Sequence, residues 1–130
     1  MKTNTTVYGR IARFLSIVCL LFISMFALDS FEEGRPFLTN LLAFGMHMIP
    51  SIILLVIIIL SWKKELVGGI IIAAVGLLTA FPIFRMNYLR TDSLAVAFQV
   101  IALINLPVVI TGALFIVSHY KLKAKQSLEA

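Results

Sequence analysis

The chain has 130 residues, of which 61% are apolar and 13% are charged, and it carries a formal net charge of +5. Soluble domains contain about 45–50% apolar and about 25% charged residues, so a fold of this composition needs lipid as the solvent for much of its surface. A single cysteine, Cys19, excludes a disulfide framework and a cysteine-based zinc site. The basic residues stand in short clusters beside apolar runs, which is typical of membrane-orienting charge and argues against a nucleic-acid partner.

Four apolar runs are long enough to span a membrane as helices, at residues 11–28, 41–60, 66–84 and 93–118. A hydrocarbon core about 30 Å thick needs roughly 20 helical residues at about 1.5 Å each. The runs are continuous and do not alternate at period two, which favours helices over a β-barrel. The sequence therefore predicts one transmembrane domain over residues 1–130, with helices at about 11–31, 38–62, 66–86 and 93–119.

The connections between these runs are short, at residues 29–36, 61–65 and 85–92. Short connections make consecutive helices antiparallel neighbours. The predicted fold is an all-α membrane protein, a four-transmembrane-helix bundle with up-down-up-down topology. The first run is predicted to be a retained helix, because it is long for a signal peptide and lacks a good cleavage site.

The distribution of basic residues predicts the orientation in the membrane. With the amino terminus inside, the cytoplasmic basic residues are Lys2, Arg10, Arg13, Lys63, Lys64, Lys121, Lys123 and Lys125. The basic residues left outside are Arg35, Arg85 and Arg90. Because cytoplasmic segments hold the excess of basic residues, we expect a multi-pass protein of the cytoplasmic membrane with both termini cytoplasmic. We also expect its basic termini to contact anionic lipid headgroups.

Polar side chains at the middle of the membrane are the first candidate site. If the second helix enters the membrane near Leu38, then His47 lies about 14 Å deep, and Asn105 has a similar depth in the fourth helix. Asn40, His47 and Ser51 fall within about 40–60° of one another around the second helix. Because an imidazole is costly against lipid, we expect this stripe to face the bundle interior or a water-filled cavity, with His47 opposite Asn105.

Two prolines lie beside these polar residues. Pro50 cannot donate to the carbonyl of Met46, and Pro107 cannot donate to the carbonyl of Leu103. Freed carbonyls beside a polar side chain occur at ion and substrate sites, and also in helices that only bend. The candidate midplane polar site comprises His47, Asn105, Asn40, Ser51, Pro50 and Pro107.

The predicted outer loops hold a second candidate cluster, made of Asp29, Glu32, Glu33 and Asp92. As an acidic mouth, it would attract cations toward His47. As a solvated interface, its carboxylates would pair with the three outer arginines and cap helix ends. The near balance of opposite charges favours the second interpretation.

Small residues recur along the third predicted helix, at Gly69, Ala73, Gly76 and Ala80. Their spacing of four, three and four places them on one face, where a neighbouring backbone can approach closely. We interpret this stripe as a packing seam.

We expect neither a metal, a cofactor nor an enzymatic activity. Met46 and Met48 are two residues apart on a helix, so they cannot both join His47 on one copper ion. Haem takes two axial ligands at matching depth, whereas His119 is predicted at the cytoplasmic end. The sequence also contains no catalytic triad order, zinc-protease motif or glycine-rich phosphate loop.

Residues 26–78 resemble a group of small prokaryotic four-helix membrane proteins of uncharacterised function. The resemblance is carried by Ala27-Leu28-Asp29 at the end of the first helix, by His47 and Pro50, and by Trp62, Glu65 and Gly68. It implies a bacterial or archaeal cytoplasmic membrane and supplies no activity.

Three hypotheses for function follow. The leading one is a small non-enzymatic membrane protein with an accessory or assembly role, as a homo-oligomer or with another membrane protein. The second is an oligomeric channel or transporter whose site includes His47 and Asn105. The third is a metal- or quinone-binding redox protein that uses His47.

Overall fold

Four long helices make up the computed structural model, which describes residues 5–130. They are α1 (Val7–Met25), α2 (Phe37–Lys63), α3 (Glu65–Thr91) and α4 (Leu94–Glu129). A short 3-10 turn at Leu28–Ser30 follows α1. The prediction of four helices long and apolar enough to cross a membrane is confirmed. Lys2, one of the predicted cytoplasmic basic residues, lies outside the described residues.

The carboxyl-terminal ends of α1 and α4 differ most from the predicted ones; α1 also begins four residues earlier, and α3 ends five residues later, than predicted. The last turn of α1 tightens, because the N–H of Ala27 bonds to the carbonyl of Ser24 three residues back, and the chain continues as a 3-10 turn. In contrast, α4 continues to Glu129 because the residues after 119 are mostly good helix formers such as lysine, alanine and leucine. The change from apolar to polar sequence therefore shows where the membrane-length segment ends. The helix itself can continue beyond that point, as α4 does.

The connections between helices are as short as the sequence predicts. Lys64 alone separates α2 from α3, in an extended conformation whose N–H still bonds to the carbonyl of Leu60. Asp92 ends α3 at a φ of 49°, a left-handed conformation that aspartate tolerates better than most residues. Each helix contacts the next one along the chain, and α4 also contacts α1. This closed ring of neighbours is the up-down-up-down arrangement.

The tightest contact in the bundle is between the backbones of α3 and α4. A Cβ atom added at Gly112 would lie 2.5 Å from the backbone nitrogen of Ala73 and 2.7 Å from the carbonyl oxygen of Gly69. A Cβ atom at Gly76 would lie 2.7 Å from a methyl group of Val109. Three members of the small-residue stripe thus adjoin α4, while Ala80, the fourth, is half-buried.

The core lies toward the end of the bundle that contains Lys64, called here the junction end. It contains Ala12, Cys19, Ile72, Val108 and Phe115. Toward the opposite end, called here the loop end because it holds residues 26–36, the packing is sparse: no residue of α2 between 41 and 50 is buried. The junction half of the bundle is therefore dense and the loop half is open.

We expect Gly112→Ala to destabilise the protein, because its new methyl group meets the backbone of α3 and forces the two helices apart. Overpacking of this kind costs about 1–3 kcal/mol. Gly45→Ala is the matched control, since nothing lies within 4 Å of a Cβ at that position; it should be neutral or stabilising by about 0.5–1 kcal/mol. Thermal unfolding in detergent measures the stability of both variants. Equal midpoint temperatures would contradict the tight contact between α3 and α4 at Gly112.

Candidate functional site

Asn105 connects α4 to α3 at the boundary between the dense and the open half. Its side chain is 3% exposed. Its Nδ2 group donates to the carbonyl oxygen of Gly76 at 2.8 Å and to Oγ1 of Thr79 at 2.9 Å. Its Oδ1 atom is buried without a hydrogen-bond partner. The amide nitrogen of Asn105 is therefore hydrogen-bonded and its amide oxygen is not. Both bonds go to the adjacent helix and not across the bundle.

Of the two environments predicted for His47, the bundle interior or a water-filled cavity, the packed interior is not observed, and Asn105 bonds to α3 and not across the bundle to α2. His47 is exposed, and its Nδ1 atom lies 2.9 Å from the carbonyl oxygen of Ala43. A carbonyl oxygen only accepts, so Nδ1 donates in this contact and Nε2 remains for another partner. Around α2, His47 lies within about 40° of the buried Asn40, Ser51 and Leu54. Its face is therefore the predicted one, but the neighbouring helices do not cover α2 at that level.

Ser51 and Asn105 lie at the same level in the bundle. The side chain of Ser61 on α2 lies against Gly68 on α3, which aligns these two antiparallel helices. Ser51 is ten residues from Ser61, and Thr79, which bonds to Asn105, is eleven residues from Gly68. At about 1.5 Å per residue the two levels agree within about one residue. The Oγ atom of Ser51 is buried without a partner, so two unpaired oxygens lie at one level.

The two prolines lie inside continuous helices, Pro50 in α2 and Pro107 in α4. Around Pro107 the backbone is supported by a side chain, because the hydroxyl of Thr111 donates to the Pro107 carbonyl at 2.7 Å. This is a contact within α4, made to the carbonyl of Pro107 itself and not to the Leu103 carbonyl that the proline frees.

Asn40 belongs to the loop end and not to a midplane site. Its Oδ1 atom accepts from the N–H of Glu32 at 3.2 Å, and its Nδ2 group donates to the carbonyl of Glu32 at 3.0 Å. Glu32 also pairs with Arg35, with oxygen and nitrogen 2.9 Å apart. The amide of Asn40 therefore fixes the loop between α1 and α2 to the start of α2.

The other members of the acidic cluster do not converge on one ion. Asp29 and Glu33 are exposed, and Asp92 is the exposed residue that ends α3. Within residues 5–130, no group of three or more histidine, cysteine, aspartate or glutamate residues is arranged to hold a metal ion. The geometry of these loops is that of a solvated, partly paired surface.

Glu65, which sequence reasoning did not place in a site, connects three helices. Its Oε2 atom accepts from the hydroxyl of Ser118 at 2.7 Å, and Oγ of Ser118 lies 2.6 Å from Oγ1 of Thr6. Its Oε1 atom lies 3.6 Å from Nη2 of Arg13. The side chains of Glu65 and Arg13 are only 10% and 25% exposed. One carboxylate at the start of α3 therefore joins α1, α3 and α4.

Arg13 extends this junction-end network to α2. Its Nη2 group donates to the carbonyl oxygen of Trp62 at 3.3 Å, and its guanidinium carbon lies 5.8 Å from the centre of the Trp62 ring. The lack of a side chain at Gly9 makes space for this network, since a Cβ there would lie 2.6 Å from Oγ of Ser118. The sequence held a signal for this pair, because charged groups at the ends of apolar segments pair with one another.

Comparison with known proteins adds a family and no activity. A family model described as a domain of unknown function (DUF7670) matches residues 1–128 of the chain. No curated protein and no solved structure matches it. The match agrees with the resemblance to an uncharacterised family.

We expect Asn105→Leu to destabilise the protein, because it removes both hydrogen bonds to α3. Interhelical bonds of this kind contribute about 0.6 kcal/mol on average and up to about 1.7 kcal/mol each, so the loss should be about 1–2 kcal/mol. Gln99→Leu, at an exposed position of the same helix, should change stability little. Unfolding in detergent measures the difference, and equal stability of the two variants would show that the Asn105 bonds contribute nothing.

Proposed function

The chain belongs to the DUF7670 family, whose function is unknown, and we propose that it is a multi-pass integral membrane protein with an assembly role and no catalytic activity. Its helices expose large apolar side chains along their outer faces; Phe14 and Phe81, for example, are 70% and 73% exposed. In water such a surface associates, whereas lipid solvates it. Membrane insertion is therefore the state that this surface supports.

We propose that both termini lie on the cytoplasmic side of the cell membrane. Arg13 contacts the backbone of Trp62 beside Lys63 and Lys64, and the ammonium of Lys121 lies 5.1 Å from the ring of Tyr8. The start of α1, the α2–α3 junction and the end of α4 therefore share one end of the bundle. This end holds the excess of basic residues, which favours the cytoplasm.

The observation that carries the assembly role is the exposure of His47. An imidazole in hydrocarbon is costly and is found facing protein or water. Here the neighbouring helices leave it uncovered, with Nε2 unpaired, on the face that α2 otherwise buries. We infer that a helix of a partner covers this part of α2 and supplies a polar group to the imidazole. In the junction half, Phe115 and Ile72 are fully packed, which disfavours conduction through a single chain.

A transport role is the second candidate, and one observation favours it. The unpaired oxygens of Ser51 and Asn105 lie at one level, about one helical turn below the exposed His47. Ion or solute flux into liposomes that contain the purified chain distinguishes this role, because assembly alone produces no flux. The redox hypothesis gains no second ligand, since His119 lies at the opposite end of the bundle from His47, at the junction end.

We expect a photo-crosslinker at position 43, one turn from His47 on α2, to form a protein adduct in native membranes. The same crosslinker at position 14, on the exposed face of α1, should capture lipid only. His47→Leu should lower the adduct yield at position 43 several-fold, while Met46→Leu, a change at the exposed neighbouring residue, should not. The mass of the adduct tells a second copy from another protein. Lipid capture at both positions would reject the assembly role.

We expect a cysteine at Thr91 to react with a membrane-impermeant thiol reagent in intact cells, and a cysteine at Ser127 to react only after the cells are opened. A Cys19→Ser background provides the single-cysteine chains, since Cys19 is the one native cysteine. Labelling of the two positions in the reverse order would show the opposite orientation. Labelling of neither or both in intact cells would reject the four-span topology.

A further inference from the structure

A cavity of about 510 Å³ opens at the junction end, beside the Arg13–Glu65 pair. Half of its ten lining residues are basic or aromatic, namely Arg13, Trp62, Lys63, Lys64 and His119. Its size falls within the roughly 300–1,000 Å³ typical of small-molecule sites. Residues 5–130 leave this space unfilled.

The charge of the wall is positive and is not neutralised within residues 5–130. Arg13, Lys63 and Lys64 contribute three positive charges against the one negative charge of Glu65. Glu65 is already engaged, through Oε2 with Ser118 and through Oε1 with Arg13. In residues 5–130 neither Lys63 nor Lys64 lies within ion-pair distance of a carboxylate. An anion is therefore the ligand that this wall favours.

Arg13 keeps donors for such an anion. Both of its protein contacts, to the carbonyl of Trp62 and to Glu65, are made by Nη2. Its Nη1 group makes no hydrogen bond to the described protein, and its buried Nε–H also lacks a partner. A guanidinium matches the oxygens of a phosphate or carboxylate better than an ammonium does.

The start of α3 adds a smaller, independent contribution to anion binding in the cavity. Leu66 and Val67, in the first turn of this 27-residue helix, also line the cavity. Their N–H groups have no acceptor within the helix, and no side chain of Lys64 caps them. The positive end of the helix dipole points toward the same space.

We propose that this cavity binds a phosphate group, presented by an anionic lipid headgroup or by a soluble phosphate. Lys63 and Lys64 attract the anion, and Nη1 of Arg13 and the first amides of α3 bind its oxygens. The Trp62 ring and the apolar Leu66, Val67 and Leu122 provide a wall for the glycerol part of a lipid. The lipid source depends on the proposed membrane orientation, whereas the phosphate chemistry does not.

Trp62, the one tryptophan of the chain, reports on the cavity from its wall. The full-length protein in dodecyl maltoside, a detergent without phosphate, is titrated with short-chain phosphatidylglycerol or with inorganic phosphate at constant ionic strength. We expect a saturable change in Trp62 fluorescence. Saturation with phosphatidylglycerol alone identifies a lipid site, and saturation with inorganic phosphate identifies a soluble ligand. A short-chain diacylglycerol with the same acyl chains should give no saturable change.

Two double variants with the same change in net charge distinguish binding in the cavity from nonspecific attraction of an anion to a basic protein. Lys63→Gln with Lys64→Gln should raise the Kd by at least about tenfold, because each basic residue beside an anion contributes several-fold. Lys123→Gln with Lys125→Gln, beyond the cavity on α4, should change the Kd by less than about twofold. All four lysines are exposed, and circular dichroism checks that both variants remain helical.

The proposal is overturned if the wild type shows no saturable response to either phosphate source, or if the two double variants weaken binding equally. Failure of the assembly role would be seen separately, at position 43 in the loop half of α2. Phosphate binding in micelles does not depend on that surface, so the two proposals can fail independently.

Discussion

The close approach of α3 and α4 at Gly112 is the constraint on which the other polar contacts depend. It brings the backbones together with no side chain between them, so short side chains can reach across. Asn105 thereby reaches the carbonyl of Gly76 about two turns away on one side, and Ser118 reaches Glu65 on the other. With a larger residue at the seam, both contacts would lengthen together. The packing of small residues and the hydrogen bonding of polar ones are thus one feature of the fold.

Most of the fold could be predicted from the sequence, because run length, loop length and the spacing of small residues are local properties. Helical periodicity likewise places His47 on the side of α2 that carries the buried Asn40, Ser51 and Leu54. Whether that face is covered depends on how α2 packs, and no local pattern contains this information. The pair of Arg13 and Glu65 was missed for a related reason. The sequence shows two charges at the ends of apolar runs, but 51 residues lie between them and only the closed bundle makes them neighbours.

The two halves of the bundle treat polar groups differently. In the dense half, Glu65 and Ser118 are hydrogen-bonded, and Ser61 donates to the carbonyl of Ile57 at 2.7 Å. At the boundary with the open half, Ser51 and Asn105 keep unpaired oxygens. Buried polar atoms without partners are costly in a low-dielectric interior. In residues 5–130, two of the three buried side-chain atoms without a partner therefore lie at the level where the bundle begins to open, and the third, Nε of Arg13, lies at the junction end.

The single-residue link at Lys64 also determines how α2 can move. A helix joined to its neighbour by one residue cannot slide along it, so its remaining freedom is rotation about that residue. His47 lies 17 residues away, which is a lever arm of about 25 Å, and a tilt of about 5° displaces its ring by about 2 Å. The end of α2 at Lys64 borders the basic cavity, and the part of α2 toward the loop end carries the exposed His47. A small change in the tilt of α2 at Lys64 therefore produces a larger change in the position of His47.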